Sequence, residues 1–375
     1  MSTATSGDHA LNNFDLVRVF AAAQVVVVHL VSFMPGMHSA SWLEVLSLFP
    51  GVPIFFFISG FLIGGSWRRN PNVAAYIASR ALRIFPGLWA ACLFSLALLL
   101  FLYSEPLREN VGTTLIWIAM QLSFLQSWNP QFLRGYGMGV ANPVLWTIPV
   151  ELAFYVVLPL LVILGQRIRR LYGVLIGAAL ISLLVCWWAT AGLDPRDAQV
   201  ETLRKVMTVS PLSFVSWVWM FLLGVLAQLQ FDRLQPLIAG RALPFVLIAV
   251  AVGILSLFVD FPPLLHLPGN EIGLLNAVAN GLACLAFAYS YPGLALRWLR
   301  GNDLSYGVYL YHMPLANALI AVGVVGWQGG VLVLIGTFVC AFLSWVLIER
   351  RALGLKSRLQ LLLDRRSSLG REIAT

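Results

Sequence analysis

Read from its first residue, the chain alternates long apolar runs with short polar breaks. Runs long enough to cross a bilayer begin near Phe14, Val45, Ala81, Val144, Leu171, Leu212, Leu243, Ile272, Leu304 and Gly330. A helix rises about 1.5 Å per residue, so roughly 20 apolar residues cover a hydrocarbon core. A further run, Thr113 to Trp128, is shorter and is interrupted by Gln121, Ser123 and Gln126. The pattern predicts an all-α, polytopic integral membrane protein with about ten transmembrane helices and no sizeable water-soluble domain.

Charge decides between ten spans and eleven. Basic residues cluster between the runs: Arg68-Arg69, Arg80 with Arg83, Arg167 with Arg169-Arg170, Arg297 with Arg300, and Arg350-Arg351. With the N-terminus inside and ten spans, all but five of the 24 Lys and Arg face the cytoplasm. The exceptions are Arg108, Arg134, Arg196, Arg204 and Lys205. Counting Thr113 to Trp128 as a span would send the later clusters to the wrong side. That stretch is therefore expected to be interfacial or re-entrant on the outer face. Both termini are expected in the cytoplasm, with a tail over 1–13, a transmembrane domain over 14–348 and a basic tail over 349–375. Anionic lipid of the inner leaflet would hold the latter. The first run carries Gln24 and His29 and lacks a strongly positive flank, so it reads as a retained helix, not a signal peptide.

Composition agrees. Apolar residues make up 59% of the chain and charged ones 11%, with a mean hydropathy of +0.84. A soluble domain carries about 25% charged residues, so lipid must be the solvent. The net charge of +8 lies in topogenic clusters and forms no continuous stripe for nucleic acid. Cys92, Cys186, Cys284 and Cys340 lie in apolar runs without CxxC spacing, which points to neither disulfides nor a metal site. No internal repeat suggests an inverted-repeat transporter.

An ionisable group in hydrocarbon costs at least ~2.5 kcal/mol, so each one there is informative. Glu151 is the one acidic residue well inside a run, and His29 and His312 are similarly placed. His9, His38 and His266 read as ordinary solvated residues. Arg18 and His29 are 11 residues apart, three turns plus about 20°, so they share a stripe with ~16 Å between them along the axis. Arg80 and Arg83 share a face at the start of the third span. With Arg18 they would make a basic mouth suited to phosphates, although topogenic arginines would look the same. A structural hydrogen bond between helices is the bland alternative for each buried group.

At these residues the chain resembles acyltransferase family 3, polytopic bacterial enzymes that acylate sugars of surface and secreted polysaccharides. Phe14-Asp15-Leu16-Val17-Arg18 through His29 is similar to that family's arginine, ten residues, histidine motif. Val52 to Ile63 follows, and Arg80-Ala81-Leu82-Arg83-Ile84-Phe85-Pro86 resembles the paired arginines before a proline. Leu145 to Tyr155 resembles the Trp-to-Glu segment, and Leu304 to Pro314 the late Tyr/His motif. The matches occur in the family's order over nearly the whole chain.

The resemblance implies an acyl-coenzyme A donor, most often acetyl-coenzyme A, a saccharide acceptor, a bacterial inner membrane and no metal. It places His29 and Glu151 in catalysis, and Arg18, Arg80, Arg83, Tyr309 and His312 on the donor. His29 would be the general base, a directly acylated His29 being the less favoured variant, with Glu151 orienting it or holding its cationic form. The chain ends soon after its last run, so the hydrolase-like module that some members carry is expected to be absent. A homodimer is compatible with the sequence. The rival reading is a proton-coupled transporter of a glycolipid or small anion, with Glu151 and His29 as its relay.

Overall fold

The computed structural model describes residues 12–37, 45–191, 213–259 and 273–356. His9, His38, His266, the loop with Arg196, Arg204 and Lys205, and most of the basic tail lie outside them. Among the described residues the chain is helical, without a strand. In chain order the helices are α1 (Phe14–Phe33), α2 (Gly51–Arg69), α3 (Val73–Leu102), α4 (Ser104–Glu109) and α5 (Val111–Gln121). Then come α6 (Thr147–Arg167), α7 (Leu171–Ala191), α8 (Phe214–Leu229), α9 (Phe231–Ile238) and α10 (Ala242–Phe258). The last are α11 (Leu274–Ala288), α12 (Leu294–Leu299), α13 (Ser305–Ala321), α14 (Gly326–Ser344) and α15 (Arg350–Gly354).

Five stretches have the length and composition for a crossing: Phe14–Phe33, Val45–Arg69, Val73–Leu102, Pro143–Arg167 and Gly326–Gly354. Taken together α8 and α9 would be a sixth, but the chain bends by 86° between them. Asp232 and Arg233 on α9 are exposed while Phe231 and Ile238 are buried, a pattern for lying in an interface. Shorter apolar helices occupy the runs expected from Leu171, Leu243 and Ile272. In the run from Leu304, α13, His312 and Asn317 break the apolar character. The 11 residues of α5 rise only ~16 Å, about half a hydrocarbon core. Exposed Leu93, Leu100 and Phe101 on α3 and Ile335, Val339 and Phe342 on α14 give the outer surface the apolar character that lipid requires.

The described chain divides into two compact units. One runs up to Gly65 and from Trp146 to Ser305; the other holds Ser66–Leu145 and continues from Tyr306. In the first unit, Phe14, Val17 and Ala21 of α1 pack with Ile54, Phe57, Ile58 and Phe61 of α2 and Leu285 and Ala288 of α11. The apolar run 52–63 is thus core. A Cβ on Gly60 would strike the Phe221 carbonyl, and one on Gly224 the Phe57 carbonyl. Two glycines therefore let the backbones of α2 and α8 touch, as small residues do between membrane helices.

In the second unit, α3 packs on the turn 345–349 and on α15. Leu99, Leu107, Trp117, Leu133 and Tyr136 form a core beneath the segment that follows α5. Asn317 fastens that segment to α13: its Nδ2 donates to the Val140 and Ala141 carbonyls at 2.8 and 3.0 Å, and its Oδ1 accepts from Met138 N at 2.8 Å. Asn142 Nδ2 donates to the Leu310 carbonyl at 3.0 Å.

Candidate functional site

Arg18 and His29 lie on one unbroken 20-residue helix, so the stripe expected from their spacing is available. The start of α1 is anchored by Asn13, which is fully buried. Its Nδ2 donates to the Ser290 and Tyr291 carbonyls, its N–H to the Ala288 carbonyl, and its Oδ1 accepts from Ala295 N at 2.8 Å. Nothing in the apolar pattern marks Asn13 for this. Further along, Gln24 Oε1 accepts from Gly51 N at 2.9 Å and its Nε2 donates to the Leu46 carbonyl. The polar residue that argued against a signal peptide thus caps the start of α2.

Arg18 is engaged with two carboxylates. Its Nη1 lies 3.2 Å from Asp303 Oδ2 and 3.9 Å from Asp15 Oδ1, one turn earlier. Asp303 Oδ1 accepts from the Ser305 N–H and, at 2.6 Å, from its hydroxyl. A guanidinium has five N–H donors, so this pairing does not exhaust Arg18. The imidazole of His29 is half-buried, its ring 5.5 Å from that of Phe33.

Glu151 sits in the second turn of α6, and Tyr155 follows one turn later on the same face. Glu151 Oε1 accepts from Ser59 Oγ at 2.9 Å and from the Tyr155 hydroxyl. Glu151 therefore meets Ser59 and Tyr155, two contacts that the sequence did not announce. Ser59, beside Gly60 at the contact of α2 and α8, was passed over because a serine in an apolar run carries no charge signal.

In the second unit, Arg80 and Arg83 lie two and three turns into α3, not at its start. Asn72 caps that helix at Ala75 N, and the helix is 30 residues long. Its first turns therefore overhang the apolar run that begins near Ala81. Arg83 Cζ stacks 5.9 Å from the centroid of Tyr306, an arrangement favourable to a guanidinium. The Tyr306 hydroxyl donates to the Ile84 carbonyl at 3.0 Å. Lys356 adds charge near Arg80 and Arg69: burial first, then those two arginines, push its ammonium below the ordinary lysine range. Three mutually repelling cations are stable together where an anion or water screens them. Sequence reasoning had assigned Lys356 to the lipid-anchoring tail.

Tyr309 and His312 are deeply placed. The Tyr309 hydroxyl donates to the Val144 carbonyl at 3.1 Å, and His312, fully buried, has Nδ1 3.2 Å from the Val308 carbonyl of its own helix. The Tyr309 bond joins two distant segments, whereas that of His312 stays within its own helix. A further carboxylate, Glu349, escaped the sequence reading. It is 2% exposed and accepts at Oε1 from Ser344 Oγ at 2.7 Å.

An all-helical fold with apolar helices of membrane-crossing length, and with ionisable side chains held among them, defines an integral membrane protein. The chain matches the acyltransferase domain of acyltransferase family 3 over residues 11–350, and it belongs to that family. It is 33% identical to "Nodulation protein 10" of Rhizobium leguminosarum bv. viciae, over 93% of this chain and 95% of that protein. It is 23% identical to "Peptidoglycan O-acetyltransferase OatA" of Listeria monocytogenes over 90% of this chain, spanning 55% of that longer protein. Identity to the "O-acetyl transferase" of Shigella phage Sf6 is 24%, over 92% of this chain and 97% of the phage protein. No solved structure matches.

Proposed function

We propose that the chain is an O-acetyltransferase taking its acyl group from acetyl-coenzyme A on the cytoplasmic side of a bacterial inner membrane. It delivers that group to a saccharide hydroxyl on the periplasmic side. The observation that carries this reading is the family match over residues 11–350, which takes in every candidate residue from Arg18 to His312. The acceptor class is supported by the Listeria relative, whose name specifies peptidoglycan. Ten spans with both termini in the cytoplasm belong to the same reading.

Arg80 and Arg83 are candidates to grip donor phosphates through the planar fork of the guanidinium, and Arg18, whose pairing with Asp303 leaves N–H groups to spare, is another. The slender pantetheine arm suits the ~16 Å between Arg18 and His29. His29 takes the proton of the acceptor hydroxyl as its oxygen bonds to the thioester carbonyl carbon. The C–S bond then breaks, and the imidazolium returns the proton to the departing thiolate. The products are an O-acetyl sugar and free coenzyme A. Glu151, held by Ser59 and Tyr155, supplies a fixed negative charge that favours the transient imidazolium. Tyr309 and His312 shape the donor side.

The test is thiol release by the purified full chain supplied with acetyl-coenzyme A, with and without saccharide fragments. It is paired with mass spectrometry of surface glycans from a deletion strain. Acceptor-dependent thiol release and a lost acetyl increment are expected. Unaltered glycans together with no thiol release would overturn the reading.

A further inference from the structure

Helix α14 is α-helical to Ser344, and the next five residues, Trp345–Glu349, form a π turn. In α geometry, residues five apart point about 140° away from each other. Bonding of the i to i+5 type closes that angle, so Ser344 and Glu349 come onto one face. Ser344 Oγ then donates to Glu349 Oε1 at 2.7 Å. Ser344 also shares a side-chain hydrogen bond with Tyr311, which in turn interacts electrostatically with Glu349. The register shift turns inward a carboxylate that a regular helix would carry on another face. π turns of this kind are frequent at functional sites.

Gly87 shows what lies opposite. A Cβ there would sit 2.8 Å from Tyr306 Cε1 and 3.3 Å from Glu349 Cδ. Both distances start from one point, so the ring edge and the carboxyl carbon are within about 6 Å of each other. Tyr306 is fixed by its bond to the Ile84 carbonyl and carries the Arg83 guanidinium over its ring at 5.9 Å. Gly87 follows Arg83 by one helical turn, so both lie on the face of α3 that meets Tyr306. A carboxylate as deep as Glu349 persists only with matched charge and hydrogen bonds. An arginine near the end of a span otherwise snorkels toward headgroups.

We propose that Glu349 is a positioning residue for Arg83. Its buried negative charge, presented by the π turn and steadied by Ser344, holds the guanidinium against Tyr306 and ready for a donor phosphate. The inference rests on the reading that Arg83 serves the donor.

The experiment is a coenzyme A binding isotherm on the purified full chain and its variants. Glu349→Gln keeps the shape and the Ser344 bond but drops the charge, whereas Glu349→Asp keeps the charge. Positioning by charge predicts about tenfold weaker binding for Glu349→Gln, the scale of one lost charge-assisted contact, with Glu349→Asp closer to wild type. A structural role predicts the reverse order, with the isosteric amide tolerated better; that order, or unchanged affinity for Glu349→Gln, overturns the proposal. Should Glu349→Gln not fold, Ser344→Ala decides: a few-fold weaker binding is expected, and unchanged affinity overturns it. Arg83→Lys separates the two layers. If it binds coenzyme A normally, the donor role of Arg83 fails. If it binds weakly while Glu349→Gln does not, only the positioning role is lost.

Discussion

Arg18 of the first helix pairs with Asp303, Nη1 to Oδ2 at 3.2 Å, across 285 positions of sequence. Through its other oxygen Asp303 holds Ser305, the first residue of α13. The arginine of the first motif and the opening of the last are thus tied into one electrostatic element. The pair is largely screened from solvent, with side-chain exposures of 22% for Arg18 and 9% for Asp303.

Asp303→Asn is therefore expected to destabilise the protein by roughly 1–3 kcal/mol, the range for a charge-assisted bond in a partly buried setting. Asp303→Ala should cost more, because Ser305 loses its acceptor as well. Melting in detergent, with Arg18→Gln and the double variant completing the cycle, measures the coupling. Strict additivity would show that the contact carries no energy of its own.

Glu151 gives a second prediction. Ser59→Ala and Tyr155→Phe each remove one hydroxyl donor from a carboxylate inside an apolar helix. Each should destabilise by about 1–3 kcal/mol. Glu151→Gln keeps an oxygen acceptor and should fold better than Glu151→Ala, yet lose at least tenfold in turnover if its charge supports an imidazolium. Thiol release and melting on the same preparations read both. Full turnover in Glu151→Gln would reduce Glu151 to a structural hydrogen-bond acceptor.

How much of this was legible in the sequence depends on the kind of interaction. The stripe from Arg18 to His29 follows from helical periodicity because nothing breaks α1. The shortness of the helix within 113–128 follows from its polar interruptions, and α5 ends at Gln121. Contacts between distant helices leave no such trace: Ser59 and Glu151 are 92 positions apart, and Arg18 and Asp303 are 285 apart. Glu349 stayed hidden because it closes an apolar run and looked like the start of the tail. Only the π turn, which no composition rule announces, directs it inward. The 86° bend after Leu229 was likewise invisible, since Gln230 is an ordinary break between runs.

The ten-span reading can be tested directly. A cysteine at Ile168, between α6 and α7, should react only with reagents that reach the cytoplasm, as should positions from Gln166 to Arg170. Positions from Asp194 to Lys205 should be labelled from outside. Periplasmic labelling at residue 168 would reverse the parity, and Thr113 to Trp128 would have to cross after all.

The last prediction concerns the reacting group. His29 shares an unbroken helix with Arg18 and lies against Phe33, away from the charged cluster of Arg69, Arg80 and Lys356 in sequence. Loss of a general base typically lowers turnover by at least ~10². His29→Ala should therefore abolish acetyl transfer while coenzyme A still binds, because the proposed phosphate ligands are Arg18, Arg80 and Arg83 and not the imidazole. A structural histidine makes the opposite pairing: poor yield or lost binding, with the folded fraction remaining active. His29→Gln sharpens the contrast, since an amide can keep a hydrogen bond but cannot cycle a proton near neutral pH. It should fold like the native chain and fail to turn over. The measurement is thiol release beside a coenzyme A isotherm on each purified variant. Robust turnover by His29→Gln would remove the imidazole from the chemistry and leave Glu151 as the group to test next.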